Sequence, residues 1–381
     1  RCRHSGTIRK MTTQQKIPRS LQAHLVDALE AQGGWLGFDA FMALALYTPG
    51  RGYYTHGSVK LGRSPKDGSD FVTAHELSPL FGQALAAQLA QALTQTQATE
   101  LWEFGAGSGA LAEQVLDALQ AQGQALTRYT IVDLSGSLRA RQQERLVKYG
   151  DLVHWATELP QRMQGVVLGN EVLDAMPVKL LARVGGLWFE RGVALGEDGA
   201  RLVWQDRPTT LRPPLAIEGE HDYLTEVHTQ AEAFIRTLAD RLSRGAAFFI
   251  DYGFPEAEYY HVQRHMGTVM CHQAHKADTD PLRDVGQKDI TAHINFTGIA
   301  LAAHDAGLEV LGYCNQARFL FNCGLATLMD SASLPQRAMA QHLVMEHEMG
   351  ELFKVIGLCK IDGSEPWQAL GFAQGDKTHR L

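Results

Sequence analysis

Glu103-Phe104-Gly105-Ala106-Gly107-Ser108-Gly109 decides the fold. A short apolar run, residues 101–104, leads into it. Residues 111–119 follow, with Leu111, Val115, Leu116 and Leu119 at helical spacing. Strand, glycine turn and helix in that order open a sheet that binds a nucleoside-type ligand, because glycines let the backbone turn sharply and approach a ligand closely. The next apolar run, residues 129–132, ends on Asp133. An acid at that strand end suits the two hydroxyls of a ribose. A plain glycine turn with no ligand is the competing reading.

Two details choose the ligand. The spacing is G-x-G-x-G rather than G-x-G-x-x-G, and Glu103 stands two positions before the first glycine. A pyrophosphate would be repelled by that carboxylate, whereas S-adenosylmethionine carries an ammonium and a sulfonium and has no diphosphate to cradle. Glu103, Gly105, Gly107, Gly109, Asp133 and its neighbour Leu134 are therefore expected to bind S-adenosylmethionine.

Outward from this unit, strand and helix alternate. Strands are expected at residues 101–104, 129–132, 152–155, 165–168, 246–250 and 308–313. Helices are expected at 111–119, 138–148, 224–242, 291–306, 319–328 and 336–349. Such alternation predicts an α/β fold with a doubly wound, mostly parallel sheet. Residues 178–205 alternate differently, with turn signals at Gly185-Gly186 and Asp198-Gly199, and predict a β-hairpin insertion. Upstream, residues 20–47 read as helical across a Gly33-Gly34 break, and residues 48–75 as a long Gly-, Pro- and Ser-rich loop. The expected organisation is a leader at 1–19, an N-terminal helical and lid region at 20–98, and a core at 99–177 and 243–381. An insertion at 178–242 divides the core.

The strand at 165–168 runs into Gly169-Asn170-Glu171-Val172-Leu173-Asp174-Ala175-Met176-Pro177. Ligands of open α/β sheets bind at the carboxyl ends of the strands, which sets Asn170, Glu171 and Asp174 beside the transferable methyl group. Two carboxylates suit a guanidinium, whose planar fork pairs with them bidentately, and they offer a proton acceptor. Asp174 is also well placed merely to cap a turn. Asp251-Tyr252 ends the next strand on the same edge and either lines the substrate entrance or caps a loop. His293 and Asn295, near a helix start, are weaker substrate candidates.

The chain has 381 residues and a net charge of −7. That balance is poor for a general nucleic-acid binder, which needs a basic surface. No apolar run approaches the roughly 20 residues that span a bilayer, so stable membrane insertion is not expected. The five cysteines are widely spaced without a C-x-x-C pair, which indicates neither a disulfide framework nor a zinc site. The histidines show no metal-ligand spacing, and no metal is expected.

These segments together resemble a known family, the mitochondrial complex I assembly-factor arginine methyltransferases and their bacterial MidA-like relatives. The likeness runs from about Leu21 to Phe372. It is carried by Gly52-Tyr53-Tyr54, Asp70-Phe71-Val72-Thr73, Glu76-Leu77-Ser78-Pro79-Leu80-Phe81-Gly82, residues 103–109, residues 170–177, Asp251-Tyr252-Gly253, Gly267-Thr268 and residues 289–296. The resemblance implies a class I methyltransferase core with extra helical and hairpin elements, and Asp70, Thr73 and Ser78 closing over the cofactor. Tyr54 joins the substrate residues on the same ground. It also implies symmetric dimethylation of an arginine on a protein partner, in the mitochondrial members a respiratory-complex subunit. Two departures stand out. Residues 57–68 are longer and more basic than the family pattern, and Asp133 stands where the family places Glu. A cytoplasmic location is expected for a bacterial chain and the mitochondrial matrix for a eukaryotic one, with a homodimer as a possible state. Alternatives are a small-molecule N- or O-methyltransferase, a non-catalytic S-adenosylmethionine-binding assembly factor and, least favoured, a dehydrogenase.

Overall fold

A computed structural model describes residues 20–56, 73–133, 135–199, 201–273, 276–360 and 367–381. Its central sheet contains seven long strands. They are β1 (Glu100–Phe104), β2 (Arg128–Val132), β3 (Val153–Ala156), β4 (Met163–Asn170), β5 (Leu242–Phe254), β6 (Glu309–Asn315) and β7 (Phe353–Lys360). The spatial order is β3-β2-β1-β4-β5-β7-β6, with β7 antiparallel to both neighbours and the other pairs parallel. The dinucleotide-binding order 3-2-1-4-5-6 has no such antiparallel strand slipped in before the last.

The strands are apolar on both faces, as a sheet covered on both sides requires. Val166, Leu168, Phe248 and Ile250 pack towards the helices Pro79–Thr96 and Ala110–Ala121. Val167, Ala247 and Phe249 face the helices Thr229–Arg241 and Phe296–Asp305. Pro79 sits in the first turn of its helix, where its missing N–H costs nothing, and the Ser78 hydroxyl accepts the Leu80 N–H.

The insertion is larger than a hairpin. Strands Lys179–Val184, Leu187–Leu195, Leu202–Pro208 and Tyr223–Val227 form an antiparallel sheet with Trp35–Gly37. Two helical expectations are corrected here. Residues 35–37, expected within a helical stretch, pair with residues 192–194. Residues 224–227, expected at a helix start, belong to the strand Tyr223–Val227, whose Tyr223 and Thr225 are buried. A three-stranded sheet, Met270–Gln273, Lys276–Asp278 and Asp289–Thr291, was not foreseen. The helix expected over 291–306 begins at Phe296, because Asn295 caps it and the preceding residues are strand. The helix expected over 319–328 is broken at Gly324, which has φ +87°. No strand was expected at β7, since the last element assigned within the core was the helix at 336–349.

No described helix is long and apolar enough to cross a membrane. The described cysteines, Cys271, Cys314, Cys323 and Cys359, are buried thiols. The leader at 1–19 and the loop at 57–72 lie outside the described residues.

Candidate active site

The carboxyl ends of β1, β2, β4 and β5 deliver Glu103, Asp133, Asn170 and Asp251 to one edge of the sheet. After β1 the backbone enters the left-handed region at Gly105 (φ +61°), Gly107 (φ +53°) and Gly109 (φ +80°). Side chains are strained in that region. A Cβ on Gly105 would also lie 3.2 Å from Val172 Cγ2, so the loop passes close to the turn after β4. Glu103 is 2% exposed and accepts the Tyr129 hydroxyl at 2.7 Å. Burial pushes its carboxyl up to about 7 against the pull of that hydrogen bond. A cation brought alongside reverses such a shift.

Asp133 has both oxygens engaged. Oδ1 accepts the Ser135 N–H at 2.8 Å, and Oδ2 accepts from Gln142 Nε2 at 2.8 Å. Gln142 also donates to the Gly107 carbonyl and accepts from Trp155 Nε1. Gln142 thus ties the glycine loop to the ribose-side acid, and sequence reasoning did not single it out.

At the end of β4, Asn170 is 6% exposed. Its Nδ2 donates to Glu171 Oε1 at 3.0 Å, while its buried Oδ1 has no partner. A buried acceptor left unpaired costs about 1–3 kcal/mol, so this atom awaits a donor from a ligand. The glycine cradle, the buried Glu103 carboxylate and this orphaned oxygen fit a ligand with cationic and N–H groups such as S-adenosylmethionine.

Glu171 is half-buried and takes φ +54°, a left-handed conformation that costs a non-glycine residue on the order of 1–2 kcal/mol. Its N–H donates to the Ile250 carbonyl at 2.9 Å. Burial and the neighbouring charge of Asp174 push its carboxyl up to about 8, while the Asn170 amide pulls it down. Asp251, 1% exposed, braces the turn. Its Oδ2 accepts the N–H groups of Val172 (3.2 Å), Leu173 (2.9 Å) and Asp174 (3.2 Å), and its Oδ1 accepts that of Tyr252 (3.0 Å). Asp174 is 5% exposed; burial and the charges of Asp251 and Asp289 hold its carboxyl well above the usual range.

Three tyrosines and one further acid enclose these groups. The Tyr54 hydroxyl donates to Asp289 Oδ1 at 2.8 Å, and the Tyr47 hydroxyl to the Ala175 carbonyl at 2.8 Å. The two rings stack 5.7 Å apart. Tyr252 lies against Phe353 at 3.9 Å and stacks on His293 at 5.9 Å. Burial and the charges of Glu171, Asp174, Asp251 and Asp289 hold its phenol well above the ordinary value. Tyr47 and Asp289 were missed in the sequence. Asp289 opens a strand of the small sheet and heads the segment 289–296 that carries the family resemblance, but it was not assigned a role.

The other sequence candidates fall into place unevenly. Thr73 Oγ1 lies 3.0 Å from His75 Nε2, and Ser78 is a fully buried helix cap. Nearby, the Ser108 hydroxyl of the glycine loop donates to Glu76, which joins the segment 73–78 to the loop. His293 is half-buried, and burial pushes its imidazole down to about 4. Asn295 is 1% exposed, and its side chain accepts the Gly298 N–H at the start of the Phe296–Asp305 helix, a capping position rather than a substrate-facing one. Asp70 and Leu134 lie outside the described residues. Among the described residues no group of three or more His, Cys, Asp and Glu is arranged to hold a metal ion.

This sheet order and edge define the class of S-adenosylmethionine-dependent methyltransferases. Residues 84–314 match the family model for S-adenosyl-L-methionine-dependent methyltransferases, and the chain belongs to that family. A protein from Burkholderia thailandensis, crystallised with S-adenosylhomocysteine, is 47% identical and covers 95% of this chain and 96% of its own, with a TM-score of 0.89. Among curated proteins, the chain is similar to the mitochondrial protein arginine methyltransferase NDUFAF7 of Danio rerio, 26% identical over 91% of this chain and 88% of the relative. The Caenorhabditis elegans homologue is 25% identical over 80% and 76%. The protein is thus an enzyme of the MidA-like methyltransferase family with S-adenosylmethionine as its cofactor.

Proposed function

We propose that the protein transfers methyl groups to a guanidinium nitrogen of an arginine on a protein partner. The carboxylate cluster beside the glycine loop carries this reading. Glu171, Asp174, Asp251 and Asp289 converge on one edge of the sheet. None of the ion pairs formed by described residues includes Glu171, Asp174 or Asp251. Carboxyls held above their usual range, as those of Glu171, Asp174 and Asp251 are, are what a cationic substrate would relieve.

S-adenosylmethionine, when bound, supplies an electrophilic methyl whose bond pair leaves with sulfur. Glu171 would then orient one guanidinium nitrogen through a bidentate pair and take the proton released as that nitrogen is alkylated. The left-handed backbone at Glu171, fixed by Asp251 beneath it, aims the carboxylate and leaves it no slack. Asn170 would hold Glu171 with its amide while its orphaned oxygen accepts from the cofactor or the guanidinium. Tyr47, Tyr54 and Tyr252 would exclude water and line the slot with aromatic faces, on which a guanidinium stacks.

The names of the curated relatives support the arginine acceptor, and the family resemblance extends the reading to symmetric dimethylation and to a respiratory-complex subunit as partner. A cytoplasmic setting for a bacterial chain and a homodimeric state belong to the same proposal. Incubation with labelled S-adenosylmethionine and extract of cells lacking the protein tests the acceptor. Label on protein arginine that depends on Glu171 is expected; label confined to small molecules overturns the reading.

A further inference from the structure

We propose that Gln142 is a positioning residue of the cofactor site. Its amide holds the glycine loop in the shape that receives S-adenosylmethionine, and Trp155 fixes which way that amide faces. The inference rests on the cofactor and is independent of the acceptor.

Three glycines make the loop pliable. Gly105, Gly107 and Gly109 all take positive φ, and glycine loses more conformational freedom on ordering than any other residue. A loop that the ligand must itself order gives up part of its affinity to that ordering. A hold from outside the loop removes this loss.

The helix Gly136–Arg145 supplies the hold. Among its described residues only Gln142 is buried, with no exposed surface. A polar side chain is stable in such a place when its hydrogen bonds are made, and here they are. Nε2 donates to the Gly107 carbonyl at 3.0 Å and to Asp133 Oδ2 at 2.8 Å, which uses both donors of the amide. Oε1 accepts from Trp155 Nε1 at 3.0 Å. The three partners come from three adjacent strands. Gly107 lies in the loop after β1, Asp133 follows β2, and Trp155 belongs to β3. Gln142 therefore ties the loop to the sheet edge beside it. Helix and loop also touch directly, since a Cβ on Gly109 would lie 3.4 Å from Gln142 Cα.

The direction of the amide matters. Turned end for end, it would set its oxygen against the Gly107 carbonyl and the Asp133 carboxylate. Trp155 opposes that turn, because an indole N–H only donates and so requires the amide oxygen at its side. The Gly107 carbonyl is then fixed, and with it the plane of the peptide it shares with Ser108. In a trans peptide the N–H lies opposite the carbonyl, so the Ser108 N–H points away from Gln142. Without the clamp that plane is free to rotate, since glycine at 107 tolerates either side of φ.

The test is calorimetric titration of S-adenosylhomocysteine into the full chain, well below its melting transition. Wild type, Gln142→Met, Trp155→Phe and the double variant are compared. Met matches Gln in length and makes none of the three bonds. Gln142→Met should weaken binding by about 10- to 100-fold, the scale of two lost bonds, one of them to a carboxylate. Trp155→Phe should weaken it by roughly 3- to 10-fold, the scale of one neutral hydrogen bond. The double variant should bind like Gln142→Met, because Trp155 acts through Gln142. Amide hydrogens of residues 105–109 should exchange faster in ligand-free Gln142→Met than in wild type. Wild-type affinity in folded Gln142→Met overturns the inference. So does a lowered melting temperature with unchanged affinity, the mark of a merely structural residue. If Gln142→Met does not fold, Trp155→Phe decides, and wild-type affinity in that variant overturns the inference. Effects that add in the double variant overturn the role of Trp155.

Discussion

Asp251 Oδ2 accepts the backbone N–H of Leu173 at 2.9 Å, and through that bond the end of one strand holds the turn that aims the carboxylate of Glu171. Removing the brace should therefore damage chemistry without touching the cofactor loop. Asp251→Ala removes the acceptor of four backbone N–H groups, those of Leu173 and Asp174 buried, and we expect a stability loss of about 2–4 kcal/mol. Methyl transfer should fall by about 100-fold or more, because a misaimed group costs that much. Affinity for S-adenosylhomocysteine, measured by calorimetry, should change little. A variant with unaltered turnover would show that the turn needs no brace.

Glu171 should impose a pH limb on catalysis. Its carboxyl is pushed up to about 8 by burial and Asp174, and only the ionised form pairs with a guanidinium. In the unliganded enzyme kcat/KM should rise with pH through that value. The limb in kcat should lie lower, because a bound cation favours the carboxylate. Glu171→Gln should abolish the limb and slow transfer by about 100- to 10,000-fold. A pH profile identical in wild type and variant would remove Glu171 from the reaction.

The same group sets the sign of a stability effect. Its folded pKa lies above the unfolded value of 4.5, so the folded state holds the extra proton between about 4.5 and 8. Its stabilising contribution is present in full below the unfolded value and is lost as pH rises through about 8. Glu171→Gln does not ionise, so relative to wild type it should gain stability as pH rises over that window. Melting temperatures of both proteins from pH 5 to pH 9 check this; a constant difference would mean that the carboxyl titrates normally.

The glycine loop can be tested apart from the acceptor. Gly107 adopts φ +53°, which a β-branched residue tolerates poorly. Gly107→Val should lose the thermal stabilisation that S-adenosylhomocysteine gives the wild type, since a ligand raises stability only where it binds. Retained stabilisation would place the cofactor elsewhere.

The residues that announced the fold did so through periodicity and glycine placement, both local signals. Glu103 to Gly109, the Asp133 strand end and the segment 170–177 were readable because each lies within one strand-turn-helix unit. What was hidden depends on partners far along the chain. Trp35–Gly37 becomes a strand only by pairing with residues 192–194. The strand β7 is recognisable only between β5 and β6, and it makes the sheet a methyltransferase sheet rather than a dinucleotide-binding one. In the site, the strand-end position of Asp251 left two readings open, lining the substrate entrance or capping a loop, and its four backbone bonds brace the turn. Asp289 and Tyr47 reach the slot through tertiary packing, which leaves no periodic trace.

The central claim is methyl transfer to arginine by a site built around Glu171. Its most direct test is mass spectrometry of protein from deletion-strain extract incubated with isotopically labelled S-adenosylmethionine and either wild-type enzyme or Glu171→Gln. The account predicts labelled methyl groups on both terminal nitrogens of an arginine in a discrete protein, made by the wild type and absent with the variant that still binds S-adenosylhomocysteine. Label on another side chain, label only on small molecules, or equal labelling by the two enzymes would contradict it.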